Sequence, residues 1–252
     1  MTPSPAGALP VLAVAALGLL GCGAGAPLLH PAHVLHAGDV SAGAGLSGEV
    51  TLTDLSASPG SDPSSASRLA QLAAAPGIAP WVGARFGIAG SNEAGLTYSG
   101  RSLRVDVRHA FAIGSAALSV GIGGSMIAAE RPGQDVAGSS VFGGGVDVPL
   151  LFGVHSKSNL YALWIGPRGG FEALSGEVAV SPGQTGALVL ADVKARHLFG
   201  GFVVGVRGGF RHVHVALELD GAYHRANGSI AGASTGVGMF ALAPSGALIL
   251  SF

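Results

Sequence analysis

The chain has 252 residues, 48% of them hydrophobic and only 11% charged, against about 25% charged in an ordinary soluble domain. Its formal charge of −1 provides no basic footprint, which excludes nucleic acid as a partner. Beyond the N-terminal segment no apolar run approaches the ~18 residues of a spanning helix, so the hydrophobicity is carried by short alternating pieces.

The first predicted element is an apolar run from Ala6 to Leu20, of signal-peptide length and followed by small residues. Two cleavage readings compete. Ala24-Gly25-Ala26 fits a small-x-small pattern, but Pro27 would follow the cut, and its imide nitrogen suits few peptidases. Leu19-Leu20-Gly21-Cys22 resembles the lipobox of bacterial lipoproteins, whose cysteine is diacylglycerylated and becomes the first mature residue. Cys22 is the sole cysteine, which agrees, since an exported protein has little use for one unpaired thiol. Residues 2–6 lack Lys and Arg, a departure from either pattern. The lipidated reading is adopted: 1–21 a signal peptide, 22–38 a lipidated Gly/Ala/Pro-rich linker, and 39–252 one exported domain.

From about residue 40 the hydrophobic period becomes two, as in strands. Val82, Ala84, Phe86 and Ile88 alternate with Gly83, Arg85 and Gly87. Leu103, Val105 and Val107 alternate with Arg104, Asp106 and Arg108. The predicted strands are 40–53, 79–89, 93–99, 102–112, 116–128, 140–154, 159–172, 195–210, 212–225 and 237–252. Short joints fall at 90–92, 113–115, 155–158 and near Phe210-Arg211. Longer ones fall at 54–78, 129–139, 173–194 and 226–236. Short turns alternating with longer loops are the pattern of a membrane barrel seen from one rim to the other. A parity flip after Tyr98 makes Gly100-Arg101 a tight turn and the count ten. If it is a bulge, eight is the nearest even alternative. Residues 64–75, "SSASRLAQLAAA", read as one short helix in a loop.

The face opposite the aliphatic one separates a membrane barrel from a soluble sandwich. A sandwich would coat it with Lys, Glu, Thr and Asn, yet Lys157 and Lys194 are the only lysines. Here it carries glycines beside Arg85, Arg104, Asp106, Arg108, Asp147, Arg168, Arg207, Glu218 and Asp220. Glycine weakens an exposed strand, but inside a narrow barrel it makes room for long charged side chains. The opposite parity would put arginines into lipid at ~2–4 kcal/mol each near the midplane. The expected fold is a closed antiparallel up-and-down transmembrane β-barrel with these nine residues as a lumenal network.

The terminal "ALILSF" resembles the last strand of Gram-negative outer-membrane barrels, which ends in Phe after apolar residues at alternate positions. That resemblance implies that Leu248, Leu250 and Phe252 serve as the signal read by the barrel-assembly machinery, with outer-membrane lipid as the surroundings. "VDVPLLFG", "YALWIGPRGGF" and "LRVDVRHAF" look like strand phrases of small, functionally uncharacterised barrels of this class. Pro244 in the last strand is a departure that removes one ladder donor. The candidate girdle aromatics are Trp81, Tyr98, Phe111, Phe152, Tyr161, Phe171, Phe199, Phe202, Phe210, Tyr223 and Phe252.

Chemistry-bearing patterns are sparse. His30-x-x-His33-x-x-His36 has a spacing that collects zinc or copper, but it lies in a Pro-containing linker, and no metal site is assigned. His212 and His214 share a face with Glu218 and Asp220, where a hydrogen-bonded network is favoured over a ligand set. "HSKSN" (155–159) distantly resembles the His/Ser pairing of outer-membrane lipid A deacylases, at the wrong spacing and within a turn. No serine has a base oriented by a third group, and no glycine cluster is a phosphate loop. No catalytic residue and no cofactor is expected. The expected role is a non-enzymatic outer-membrane lipoprotein, structural or surface-interacting, with 54–78 and 173–194 exposed. Alternatives are a narrow pore for small solutes, an outer-membrane lipid hydrolase and a soluble periplasmic β-lipoprotein.

Overall fold

A computed structural model describes residues 25–52, 56–57, 63–129, 140–156, 158, 160–180 and 189–252. The expected signal peptide and lipobox, with Cys22, lie outside the described residues. Ten long strands follow one another around a ring: β1 (Val40–Thr51), β3 (Gly77–Ile88), β4 (Asn92–Tyr98), β5 (Ser102–Ile113), β6 (Ala116–Ala129), β7 (Ser140–His155), β8 (Tyr161–Val180), β9 (Val189–Phe210), β10 (Val213–Ile230) and β11 (Ala233–Ser251). A two-residue strand, β2 (Ser56–Ala57), adds to β11, and a helix, α1 (Pro63–Ala74), follows it. Every pairing is antiparallel between ring neighbours, and β1 closes onto β11 with Ser41 opposite Ser251 and Val50 opposite Leu242. The fold is the expected ten-stranded closed barrel. Closure leaves no long strand with an unpaired edge.

Alternation places the residues. On β5, Leu103, Val105 and Val107 point outward and are about half exposed, while Arg104, Asp106 and Arg108 are buried within the ring. The same parity runs through β8 to β10, where Leu163, Ile165, Val204, Val206, Val215 and Leu217 form part of an apolar outer belt. One rim carries the turns 89–91, 114–115 and 211–212 together with residues 39 and 252. The other carries the turns 99–101 and 231–232 and the connection that contains α1.

Three expectations are corrected. Residues 173–194 are not one loop: β8 runs to Val180 and β9 begins at Val189, with 181–188 outside the described residues. Residues 226–236 are mostly strand, since Ile230 pairs with Ala233 across a two-residue turn with Ala231 at φ 52° and Gly232 at φ 80°. Trp81 and Phe199 do not belong to a girdle. Trp81 is 4% exposed inside the barrel, and Phe199 packs beside His197 under the Arg168 guanidinium.

The helix is not an exposed loop element either. Pro63 opens it, where a missing N–H costs nothing, and Ala66, Leu69, Ala70, Ala73 and Ala74 form one buried stripe. That stripe packs on Ile127, Val141, Leu174, Val178, Val193, Ile230 and Met239, the inner faces of the upper strands. The Arg101 guanidinium in the β4–β5 turn donates to the Ala73 carbonyl at 2.9 Å, satisfying an orphan acceptor at the helix end. One mouth of the ring is therefore covered by the apolar face of an amphipathic helix.

Candidate functional site: a charged lumen and its internal strap

Residues 25–39 do not form a free tether. They run inside the ring as a strap, from Gly25 near the α1-covered mouth to the opposite rim, where the Gly38 N–H donates to Gly87 at 2.9 Å. Leu28, Leu29 and Ala32 are buried against Trp81, Leu151, Trp164, Val203 and Ile249. Burial of the two leucines is worth ~1.5–3 kcal/mol each.

The lumenal charges form one connected chain of alternating sign. Arg108 donates to Glu93 through Nη2 at 2.7 Å, and Glu93 also binds Arg85. Arg85 reaches Asp106 at 2.6 Å, Asp106 binds Arg104 at 2.6 Å, and Arg104 holds Asp147 bidentately at 2.7 and 3.1 Å. Asp147 binds Arg168 at 3.0 Å, and Arg168 ends the chain on Asp220 at 3.4 Å. Glycines make the space: a Cβ at Gly123 or Gly95 would run into the guanidinium of Arg104 or Arg85. At Gly205 it would run into the Trp164 indole. An isolated buried charge is costly; here Arg85, Arg104, Arg108 and Arg168 each answer at least one carboxylate on the same or a nearby strand.

The strap is bound by the same groups. Glu218 accepts the N–H of Leu28 at 2.6 Å, that of Leu29 at 2.9 Å and the Trp164 indole N–H at 3.0 Å. Leu29 has a left-handed φ of 51°. That turn lets two successive N–H groups converge on one anion, as in a backbone nest. Arg108 donates to the carbonyls of Pro31 and His33 and to His30 Nδ1, the last at 2.8 Å. Arg168 donates to the Ala26 carbonyl at 2.5 Å, and the Leu35 N–H donates to Glu93 at 2.8 Å.

A second cluster lies toward α1. Arg101 binds Glu172 at 3.0 Å, Glu172 accepts from His197 Nδ1 at 3.1 Å, and His197 Nε2 faces His224 Nδ1 at 3.0 Å. Glu49, Glu93, Arg101, Glu172, His197 and His224 were missed as lumenal groups in the sequence. For the five strand residues, in–out parity extended from the neighbouring strand is the signal that finds them; Arg101 sits in the β4–β5 turn and carries no such signal.

All nine sequence-predicted lumenal residues point inward. Seven of them belong to the ion-pair chain: Arg85, Arg104, Asp106, Arg108, Asp147, Arg168 and Asp220. Glu218 binds the strap, and Arg207 lines a cavity of about 510 Å³ at the rim of residues 39 and 252. The histidine spacing in the strap does not gather a ligand set. His30 is bound by Arg108, His33 stacks on His155 with centroids 3.9 Å apart, and His36 is exposed. Burial, then His155, Arg108 and Arg207, lower His33 to about 4. Among the described residues no group of three His, Cys, Asp or Glu has a metal-holding arrangement. His212 lies exposed at the β9–β10 turn on the Ser251 carbonyl, 2.7 Å away, while His214 is buried in the lumen, so the two do not act as one set. Ser156 accepts the N–H groups of Leu160 and Tyr161 at 2.8 and 3.2 Å and so organises a turn. Leu248, Leu250 and Phe252 lie on the outer face.

No protein-family model matches the chain, and no curated protein matches it. Among solved structures it is similar to Neisserial surface protein A at 12% identity, with a TM-score of 0.33, covering 85% of this chain and 96% of that one. It is also similar to the translocator domain of the autotransporter NalP from Neisseria meningitidis at 11% identity, with a TM-score of 0.29, covering 84% of this chain and 89% of that one.

Proposed function

We propose that this chain is an exported, non-enzymatic outer-membrane β-barrel with a structural or surface-interaction role, its lumen closed by its own strap and helix. The observation that carries this reading is the filling of the middle of the lumen by paired charges and the strap. Four arginines and four carboxylates are committed to one another, and Glu218 and Arg108 to the strap. The apolar outer belt supports lipid as its surroundings, and the terminal Leu248-x-Leu250-x-Phe252 pattern supports delivery by the barrel-assembly machinery. The rim with the α1 connection faces outward in this reading, because longer loops lie on the outer side of such barrels and short turns on the inner side.

Planar-bilayer recording tests closure: the full chain gives no large, stable conductance, and deletion of residues 25–36 opens one. A steady conductance from the full chain favours the second reading, a narrow solute pore entered through the cavity near Arg207. Fractionation tests the membrane assignment. The Cys22→Ser variant stays in the outer membrane with heat-modifiable migration; its release into the periplasm would indicate a soluble lipoprotein instead. An acyl anchor on Cys22 lies within three residues of Gly25, a reach of ~10 Å. The strap's path therefore directs such an anchor to the α1-covered mouth, not to the rim where Val40 begins.

A further inference from the structure

Beneath α1 the lumen keeps a cavity of about 60 Å³, lined in part by Gly25 and Ala26 of the strap. A Cβ built on Gly25 would collide with the Ala243 methyl and lie 3.6 Å from Oε2 of Glu49, so only glycine fits there. Glu49 is 6% exposed, and its Oε1 has no hydrogen-bond partner. Asp220 Oδ1, on the same cavity, is also buried without one. The charged groups lining this space are Glu49, Glu172 and Asp220 against Arg101 and Arg168, with His197 and His224 beside them; with both imidazoles neutral the lining is one positive charge short. A buried carboxylate oxygen left without a partner is costly, and the cavity has room for one small cationic group.

We propose that export processing cuts the chain between Ala24 and Gly25, and that the Gly25 α-ammonium so formed is the missing cation, seated against Glu49 and Asp220. This rests on the exported-barrel reading. Cys22 and Ala24 stand at the two small-residue positions before the cut, close behind the apolar run Ala6–Leu20. Pro27 is then the third residue after the cut, clear of the reacting amide. A leader peptidase of the export pathway consumes one water. The Ala24–Gly25 C–N bond breaks, Ala24 leaves with the leader as a carboxylate, and Gly25 takes a proton as an ammonium. Cutting precedes folding, so burial of Gly25 in the finished barrel does not block it. The glycine, the two open carboxylate oxygens and the charge deficit then have one common explanation.

Intact mass and N-terminal sequencing of the protein recovered from outer membranes test the cut. The expected species begins at Gly25 with a free amine. An acylated Cys22, a start at Pro27 or an uncut chain overturns the proposal. Seating is tested by acylating the folded protein with an N-hydroxysuccinimide ester at pH 7.5 and mapping the sites by mass. An exposed α-amine is the weaker base and reacts faster than a lysine. The Gly25 amine is instead expected to react about tenfold more slowly than the exposed Lys194 amine, and normally after unfolding. Equal or faster reaction in the folded protein overturns the seating. In the E49Q/D220N variant the protection is lost. Recovery of the chain in a soluble fraction overturns the barrel reading, while the mass still reports the cut.

Discussion

Leu28 and Glu218, 190 positions apart in sequence, are joined by a backbone-to-carboxylate hydrogen bond of 2.6 Å inside the barrel. Glu218→Ala strands three buried donors, those of Leu28, Leu29 and Trp164. Each stranded donor costs ~1–3 kcal/mol. A net loss of ~3 kcal/mol lowers the midpoint of thermal unfolding by roughly 6–12 °C. The temperature at which the compact form disappears from unboiled gels reads this directly, and an unchanged midpoint would refute the strap's anchorage. Glu218→Gln, which keeps an acceptor oxygen, loses less.

Arg104 joins Asp106 to Asp147 at the centre of the ion-pair chain. Arg104→Met leaves two buried carboxylates facing a neutral side chain, at ~3–5 kcal/mol. Adding Asp147→Asn to Arg104→Met restores part of that loss. Urea unfolding in detergent micelles checks the cycle; simple additivity of the two substitutions would show that the groups act independently.

Gly205→Ala forces a methyl into the Trp164 indole and destabilises by ~1–3 kcal/mol. Gly124 is the control. It faces outward, its added Cβ meets nothing within 4 Å, and no unusual φ is required. Gly124→Ala leaves stability unchanged or raised by up to about 1 kcal/mol. The same gel-shift melting curve compares both.

The strap responds to acid through His33. Its folded value of about 4 lies below the ordinary imidazole value of about 6.5, so the neutral ring is the form the fold prefers. The stability it contributes is complete above about pH 6.5 and is lost as the pH falls toward 4. A protonated His33 faces His155, Arg108 and Arg207. The wild-type melting midpoint drops between pH 7.5 and pH 4.5 by more than that of His33→Asn; equal drops in the two proteins would exclude His33 as the cause.

Phe252 pairs with Val40 through two hydrogen bonds, N–H to carbonyl at 3.0 Å one way and 2.8 Å the other. Phe252→Ala keeps these bonds but removes the terminal aromatic. Slower appearance of the heat-modifiable form in cells, with an unchanged midpoint for the molecules that fold, separates an assembly defect from a stability defect.

The strand pattern was legible where lipid meets one face and charge fills the other. Leu103 to Arg108 set the parity of β5 unaided, and the seam between β11 and the start of β1 followed from the apolar C-terminus. The upper parts of β8 and β9 were not legible, for a physical reason. There the inner residues Leu174, Val178, Ala191 and Val193 meet α1, while Ser175, Glu177, Asp192 and Lys194 face outward above the apolar belt. The hydrophobic phase inverts while the backbone continues, and a period-two reading takes the inversion for a loop. The strap was illegible for a different reason. Its Pro/Ala/His composition forms no regular element, and its buried N–H and carbonyl groups are satisfied by side chains far along the chain, such as Glu218 and Arg108.

The strap's position fixes an order of assembly. It precedes β1, and the ring around it shuts only when β1 meets β11, the strand farthest from it along the chain. Threading it through a finished ring would drag Leu28 and Leu29 past the paired charges, toward a mouth already occupied by α1. The sheet is instead rolled around the strap, as around a mandrel, and the first residues of the barrel domain become the axis on which the others are wound. Pairing of such distant segments is intrinsically slow, which gives the cell a reason to hold the open sheet at the membrane until β11 is in place.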